Sequence, residues 1–202
     1  MIISTGTASE SEIEEAISSA CESGCRELLL LHCISGYPAP IDQMNLRQIP
    51  TLMRRFGLDV GLSDHSLGVA VATAAVALGA CVVEKHFTLS RQQEGPDSGF
   101  SSEPDELELL CRNTKESWSA LGKGDFLRPD VEKGNLPFRR SVYFVRDMSV
   151  GAVVTPDDIR RIRPGGGLAP KYLSQIVGRR LIKDVKRGDA TQWEHFDDQE
   201  EF

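Results

Sequence analysis

Apolar positions along the first 122 residues alternate between short unbroken runs and stripes at helical spacing. Ile2–Ser4 reads as the end of a strand, and Ser9 with Glu12 forms a capping box ahead of Ile13, Ala16, Ile17, Ala20 and Cys21, a helical stripe closed by Gly24. A buried strand follows over Glu27–Cys33. Leu46, Ile49, Leu52, Met53 and Phe56 then repeat at helical spacing up to Gly57, and Leu58–Leu62 supplies the next strand. Ala70–Leu78 predicts a helix of small residues and Cys81–Glu84 a further strand. Leu107, Leu110, Cys111, Thr114, Trp118 and Leu121 mark a long amphipathic helix started by Ser102 and Pro104.

Strands that are apolar along their whole length are those of a parallel sheet covered on both faces, so the fold class is α/β, as a barrel or an open doubly wound sheet. No GxGxxG or GxxxxGK[ST] loop follows a strand, which argues against a dinucleotide or P-loop fold. A barrel gathers its functional groups at the C-terminal ends of its strands. Polar residues collect there: Ser4 after the first strand; His32, Ser35 and Tyr37 after the second; Ser63, Asp64 and His65 after the third; Glu84, Lys85 and His86 after the fourth.

Residues 123–137 are polar, carry Gly and Pro and show no period, as a linker would. A small second module is expected over 138–196, with short strands at Ser141–Val145 and around Leu181–Val185, Thr155-Pro156 opening one helical turn, and an irregular loop at Arg163–Gly167; 197–202 reads as an acidic solvated tail.

Composition, with 40% apolar and 26% charged residues, is that of a globular protein. There is no membrane-spanning run and no signal peptide at Met1, so the protein is expected to be cytoplasmic. The net charge of −7 hides an asymmetry: Arg139–Phe196 holds 12 Lys/Arg against 6 Asp/Glu, and the remainder is strongly acidic. A basic module docking on an acidic one and a module meeting an anionic substrate both fit; nucleic acid does not, since no aromatic stacking pattern or reader motif accompanies the basic residues. Cys21, Cys25, Cys33, Cys81 and Cys111 sit in apolar patterns and are expected as buried free thiols; Cys21 and Cys25 have three residues between them, but no second pair at zinc-ligand spacing accompanies them.

His65 and His86 are 21 residues apart, one βα step, which would put them on neighbouring strands about 4.8 Å apart. Both rings can then reach one metal ion with positions left for water or substrate; the alternative is that each only hydrogen-bonds within a crowded barrel mouth. Asp97, in a loop from about Thr88 to Ser102 too long for a simple connector, can orient a substrate hydroxyl, touch the metal through water, or serve only its Pro-Asp-Ser turn. Lys85 faces the opposite side of its strand, as half of an outer ion pair, and Ser4 and Ser63 can donate to phosphate oxygens or only cap a strand end.

"HCISGYPAP", "GLSDHSLG", "AAVALGACVVEKHFTL", "GPDSGFSSEPDE", "FRRSVYFVRD" and "IRPGGGLAPKYL" together resemble the sialic acid synthase family, from Ile2 to about Phe196. The resemblance implies the C-terminal half of a TIM (β/α)8 barrel, with βα units 5–8 in residues 1–122, followed by a small SAF domain, an antifreeze-like β-clip module. It implies condensation of phosphoenolpyruvate with an N-acylated hexosamine (N-acetylmannosamine, its 6-phosphate or a diacetamido-trideoxyhexose) to a nonulosonic acid. His65 and His86 fall on the family's ligands for a divalent metal, Mn2+ or Mg2+, and Asp97 on an aspartate near metal and sugar. Ser4 and Ser63 fall on serines holding phosphoenolpyruvate, and Tyr37 on a tyrosine of the sugar site. Ser35 stands where some members carry Asn. Arg163 falls on an arginine that reaches the N-acyl group in the partner's site of a domain-exchanged homodimer.

A complete barrel has eight strands in about 250 residues, whereas only four strand ends precede the linker. The expectation is a C-terminal fragment without synthase activity of its own, since the family's lysines for phosphoenolpyruvate and its glutamate near the reacting carbons would lie in the other half. A non-catalytic SAF-type sugar-binding or assembly module with a remnant half barrel is the alternative.

Overall fold

The computed structural model describes residues 1–197, and the chain divides into two compact units, Met1–Gly124 and the residues from Asp125 onward. In the first, β1 (Ile2–Ser4), β2 (Leu29–Cys33), β3 (Asp59–Asp64) and β4 (Val83–Lys85) form one sheet in the order β1-β2-β3-β4, every pair parallel. α1 (Glu10–Glu22), α2 (Gln48–Phe56), α3 (Ala70–Ala77) and α4 (Pro104–Ala120) each follow one strand. This is the βα progression of half a (β/α)8 barrel, and β1 and β4 are its open edges.

Local chemistry accounts for the helix ends. The Ser9 and Glu12 capping box opens α1 as the sequence predicts. Gly57 closes α2 in the left-handed conformation at φ 65°, donating its N–H to the Met53 carbonyl. The start of α4 is set by Glu103 rather than Ser102: Glu103 is the N-cap, it and Glu106 form a capping box, and Pro104 takes the first turn.

Ile3, Leu30, Val60, Leu62 and Val83 pack into one core with Ile13, Ile49, Leu52, Val71, Ala72, Ala75 and Leu110, so these strand positions face the helices. Side chains alternate along a strand, so Ile2, Ser4, Leu31, Cys33, Gly61, Ser63 and Glu84 belong to the other face, the lumen side. Its rim is open in this chain: Ile2, Ser4, Val82 and Glu84 are exposed. Gly61 allows close strand approach there, since a Cβ would stand 2.6 Å from the Val82 carbonyl oxygen and 2.7 Å from Leu31 Cδ2.

The second unit contains α5 (Asp130–Lys133), β5 (Ser141–Phe144), β6 (Ile159–Ile162) and α6 (Leu173–Ile176). β5 and β6 pair antiparallel, and Val142, Phe144, Val154, Ile159, Ile176, Leu181, Val185 and Phe196 form a core of their own. Two expected elements are corrected. Leu181–Val185 is not a strand but makes isolated bridges, Leu181 to Phe196 and Val185 to Met148. Thr155-Pro156 opens a turn rather than a helix, because Asp158 takes both the N–H and the hydroxyl of Thr155 and leads directly into β6. Asp197, expected as the first tail residue, exchanges backbone and carboxylate hydrogen bonds with Arg180; positions 198–202 of the expected tail lie outside the described residues.

The thiols also need correction. All five are free, but only Cys33 is buried; Cys21 and Cys111 are exposed on helix stripes of α1 and α4 that no further layer covers, and Cys81 is exposed in the connection before β4. Among the described residues no helix is long and apolar enough to cross a membrane.

Candidate functional site

His65 and His86 follow directly on the paired residues Asp64 and Lys85, and the period of two turns both rings to the lumen side. Their ring centroids lie 5.2 Å apart, nearly perpendicular at 70°. The Nδ1 of His65 is 3.0 Å from the Ile34 carbonyl oxygen, so it carries the proton and donates. The Nδ1 of His86 faces Asp97 Oδ2 at 3.6 Å. With each Nδ1 turned to an oxygen, the Nε2 atoms are the nitrogens left to act as ligands, in the manner of metal-bound histidines oriented through their other nitrogen. Among the described residues no third His, Cys, Asp or Glu joins them in ligand geometry. Two imidazole nitrogens could take a divalent ion only with water or substrate completing its coordination.

Aromatic rings close one side of this pair. Tyr37 lies 4.4 Å from His65 and 6.2 Å from His86 between ring centroids, and Phe100 lies 5.0 Å from His86 and 5.6 Å from Tyr37. Phe100 is buried while Tyr37 is 57% exposed, which leaves its phenol as an open wall of the site. Asp97 and Phe100 both come from the β4–α4 loop. Arg91 fastens that loop to the start of α4 through the Ser101 carbonyl and the carboxylates of Glu103 and Glu106.

The predicted residues thus separate. His65, His86, Tyr37 and Asp97 come together. Ser63 lies one step down the same face, but its hydroxyl donates to Glu84 Oε1 at 2.7 Å. Ser4 is exposed on β1, two strands away from Ser63 and in register with Gly61, two residues short of it. Ser35 is exposed with its hydroxyl 4.0 Å from Cys33 Sγ. Arg163 belongs to the second unit, exposed in the loop after β6.

Three lumen-side neighbours have no role that the sequence assigns: Glu84, Phe100 and Cys33, whose Sγ is 3.9 Å from His65 Nδ1. Glu84 is legible from the alternation that places it two residues before His86; Phe100 is not, since only the loop's path brings it in. His32, though at a strand end, faces the helices, where Nε2 hydrogen-bonds the Met44 carbonyl at 2.7 Å. Lys85 does pair on the opposite face, with Asp64, but the pair is buried rather than outer, with side chains 4% and 0% exposed.

Residues 1–126 match the model of the NeuB family and residues 139–197 that of the SAF domain. An N,N'-diacetyllegionaminic acid synthase of Legionella pneumophila is 40% identical over 205 residues, covering 98% of this chain and 57% of that protein. A pseudaminic acid synthase of Campylobacter jejuni is 37% identical over 96% of this chain and 57% of its own length. Among solved structures, the N-acetylneuraminic acid synthetase of Leptospira borgpetersenii in complex with citrate is 40% identical with a TM-score of 0.62, over 66% of this chain and 47% of that one. The chain spans a little over half the length of these curated relatives.

Proposed function

The chain belongs to the NeuB family, and from that premise we propose that its four βα units form one wall of a site that condenses phosphoenolpyruvate with an N-acylated hexosamine to a nonulosonic acid. The observation that carries the reading is the His65–His86 pair, two imidazoles 5.2 Å apart at adjacent strand ends, each with Nδ1 turned to an oxygen. Their Nε2 atoms would hold a divalent ion, Mn2+ or Mg2+. When bound, that ion supplies Lewis acidity toward the sugar aldehyde.

The reaction forms a bond between C3 of phosphoenolpyruvate and the aldehyde carbon; water adds at C2, and C–O cleavage releases phosphate. Asp97, beside His86, orients a sugar hydroxyl or an ordered water by accepting its hydrogen bond and faces the Nδ1 of His86. Tyr37 presents its exposed ring to the sugar. Ser4 is free to donate to a phosphate oxygen. Ser63 must first turn its hydroxyl from Glu84, which makes it the weaker phosphate ligand of the two. Ser35 lines the mouth of the site, and Arg163 of a second copy, in a domain-exchanged homodimer, meets the N-acyl group. The same reading carries a cytoplasmic location.

Isothermal titration of the purified chain with Mn2+ tests the metal. One site is expected, lost in both His65→Ala and His86→Ala, and a wild-type chain without affinity for Mn2+ overturns it. The reaction is tested with phosphoenolpyruvate and N-acetylmannosamine, or its 6-phosphate, or a diacetamido-trideoxyhexose, reading the nine-carbon 2-keto acid. The expected result is no product from this chain alone. Product is expected when it is co-expressed with the N-terminal part of the Legionella pneumophila synthase that it does not cover. Binding of an N-acyl sugar by the second unit, without metal affinity or complementation in the first, would favour a non-catalytic sugar-binding module.

A further inference from the structure

Directly behind the two histidines, on the helix-facing side of the same strands, lies a closed polar cluster that the proposed chemistry does not use. Lys85 Nζ is 2.8 Å from Asp64 Oδ2 and donates to the Ser66 carbonyl at 2.6 Å. Asp64 Oδ1 accepts from the Ser66 N–H at 2.9 Å and from the Ser66 hydroxyl at 2.7 Å. Both charges are out of water, the Asp64 side chain 0% and the Lys85 side chain 4% exposed, and Ser66 is fully buried.

Stability alone does not explain such a pair. Attraction between buried ions at best offsets their desolvation, and two apolar side chains of similar volume are often as stable or more so. Direction is what an apolar pair lacks. Asp64 and Lys85 are register partners, each followed at once by a histidine. The ammonium ties the end of β4 to the Asp64 carboxylate at the end of β3 and to the Ser66 carbonyl of the β3–α3 loop, and Asp64 Oδ1 holds the Ser66 N–H, so the cluster as a whole fixes the peptide after His65 and joins the residues that precede the two histidines. The rings pack against Tyr37 and Phe100, but their polar contacts are few, one hydrogen bond from His65 to Ile34 and one 3.6 Å approach of His86 to Asp97. Their spacing therefore depends on the backbone beneath them as well as on that packing.

We propose that the Asp64–Lys85–Ser66 cluster is a positioning clamp that sets the spacing and orientation of His65 and His86, with Asp64 and Lys85 as positioning residues of the metal site. The metal part of this statement rests on the function proposed above; the ring geometry does not.

The test uses the full chain with Asp64→Leu and Lys85→Met combined, so that no charge is left buried and unpaired. Circular dichroism and the thermal midpoint are expected to stay close to wild type. The 15N signals of the histidine side chains, recorded without metal, are expected to change for His65 from a single Nδ1–H tautomer to an averaged or broadened pattern. Mn2+ affinity is expected to fall about tenfold or more, the usual scale for loss of groups that orient metal ligands. A folded double variant with wild-type ring signals and wild-type Mn2+ affinity overturns the proposal. Changed ring signals in a chain whose wild type binds no Mn2+ would keep the clamp and remove the metal reading. If the double variant does not fold, Ser66→Ala carries the test, since it removes one donor to Oδ1 and keeps both charges; unchanged His65 signals there overturn the proposal.

Discussion

At the scale of single residues, three positions separate function from fold. Asp97 Oδ2 faces the Nδ1 of His86 at 3.6 Å, so Asp97→Asn should weaken Mn2+ binding about tenfold while the thermal midpoint stays within a few degrees, as paired titrations and melts would show. Gly61 is required by a close approach rather than by its own backbone. Gly61→Ala would push a methyl into the Val82 carbonyl and Leu31, and the expected loss is about 1–3 kcal/mol in urea unfolding. His195 is buried in the second unit, where Nδ1 accepts from the Gln192 N–H, and burial, with Lys183 adding to it, holds its imidazole below the ordinary value. A lowered folded value means that the unfolded chain takes up the proton first. Its contribution is thus whole above the unfolded value of about 6.5 and declines as pH falls from there toward the folded value. The melting temperature of the second unit should drop between pH 7 and pH 5, and His195→Gln should flatten that slope.

At the scale of elements, the loop between β4 and α4 is governed by its clasp. Arg91 donates to the Ser101 carbonyl and pairs with Glu103 and Glu106, and its own N–H donates to Glu103. The side chains are about a third exposed, so each pair adds only a fraction of a kcal/mol to global stability. Its effect is local: it joins the segment carrying Asp97 and Phe100 to the first turn of a 17-residue helix. Arg91→Ala should therefore leave far-UV circular dichroism unchanged yet speed cleavage within residues 91–98 in limited proteolysis. An unaltered cleavage rate would show that the loop is held by Phe100 packing instead.

At the scale of the whole chain, the two units have separate cores and different surfaces. The basic excess falls in Arg139–Phe196, and the rest is acidic. The sheet of the first unit ends in two unpaired edges, β1 and β4, with Ile2 and Val82 exposed at its lumen rim. Unpaired parallel edges beside apolar surface favour association. Residues 1–124 alone should thus self-associate in a concentration-dependent way in sedimentation velocity, whereas residues 125–202 alone should melt cooperatively. A monodisperse first unit would show that the short edge strands are protected as they stand.

Local chemistry makes the order of elements legible in the sequence itself. Apolar runs alternate with helical stripes, Ser9 with Glu12 and Gly57 mark helix ends, and the alternation of side chains turns His65 and His86 to one face, because each of these is decided within a few residues of the chain. The second unit is legible only in part, since its core is joined by single bridges such as Tyr143 to Ala190 and Met148 to Val185, which leave no local period to read. Burial of the thiols does not follow from their pattern, because an apolar stripe states what a neighbouring layer would cover, not whether that layer is there. Tertiary structure alone decides that Lys85 pairs with Asp64 out of water, that the Ser63 hydroxyl donates its hydrogen bond to Glu84, and that Phe100 closes on His86. The first two are contacts across strands 21 residues apart and the third depends on the path of a loop. Spacing along a chain names the face a side chain takes; only packing names the group it meets there.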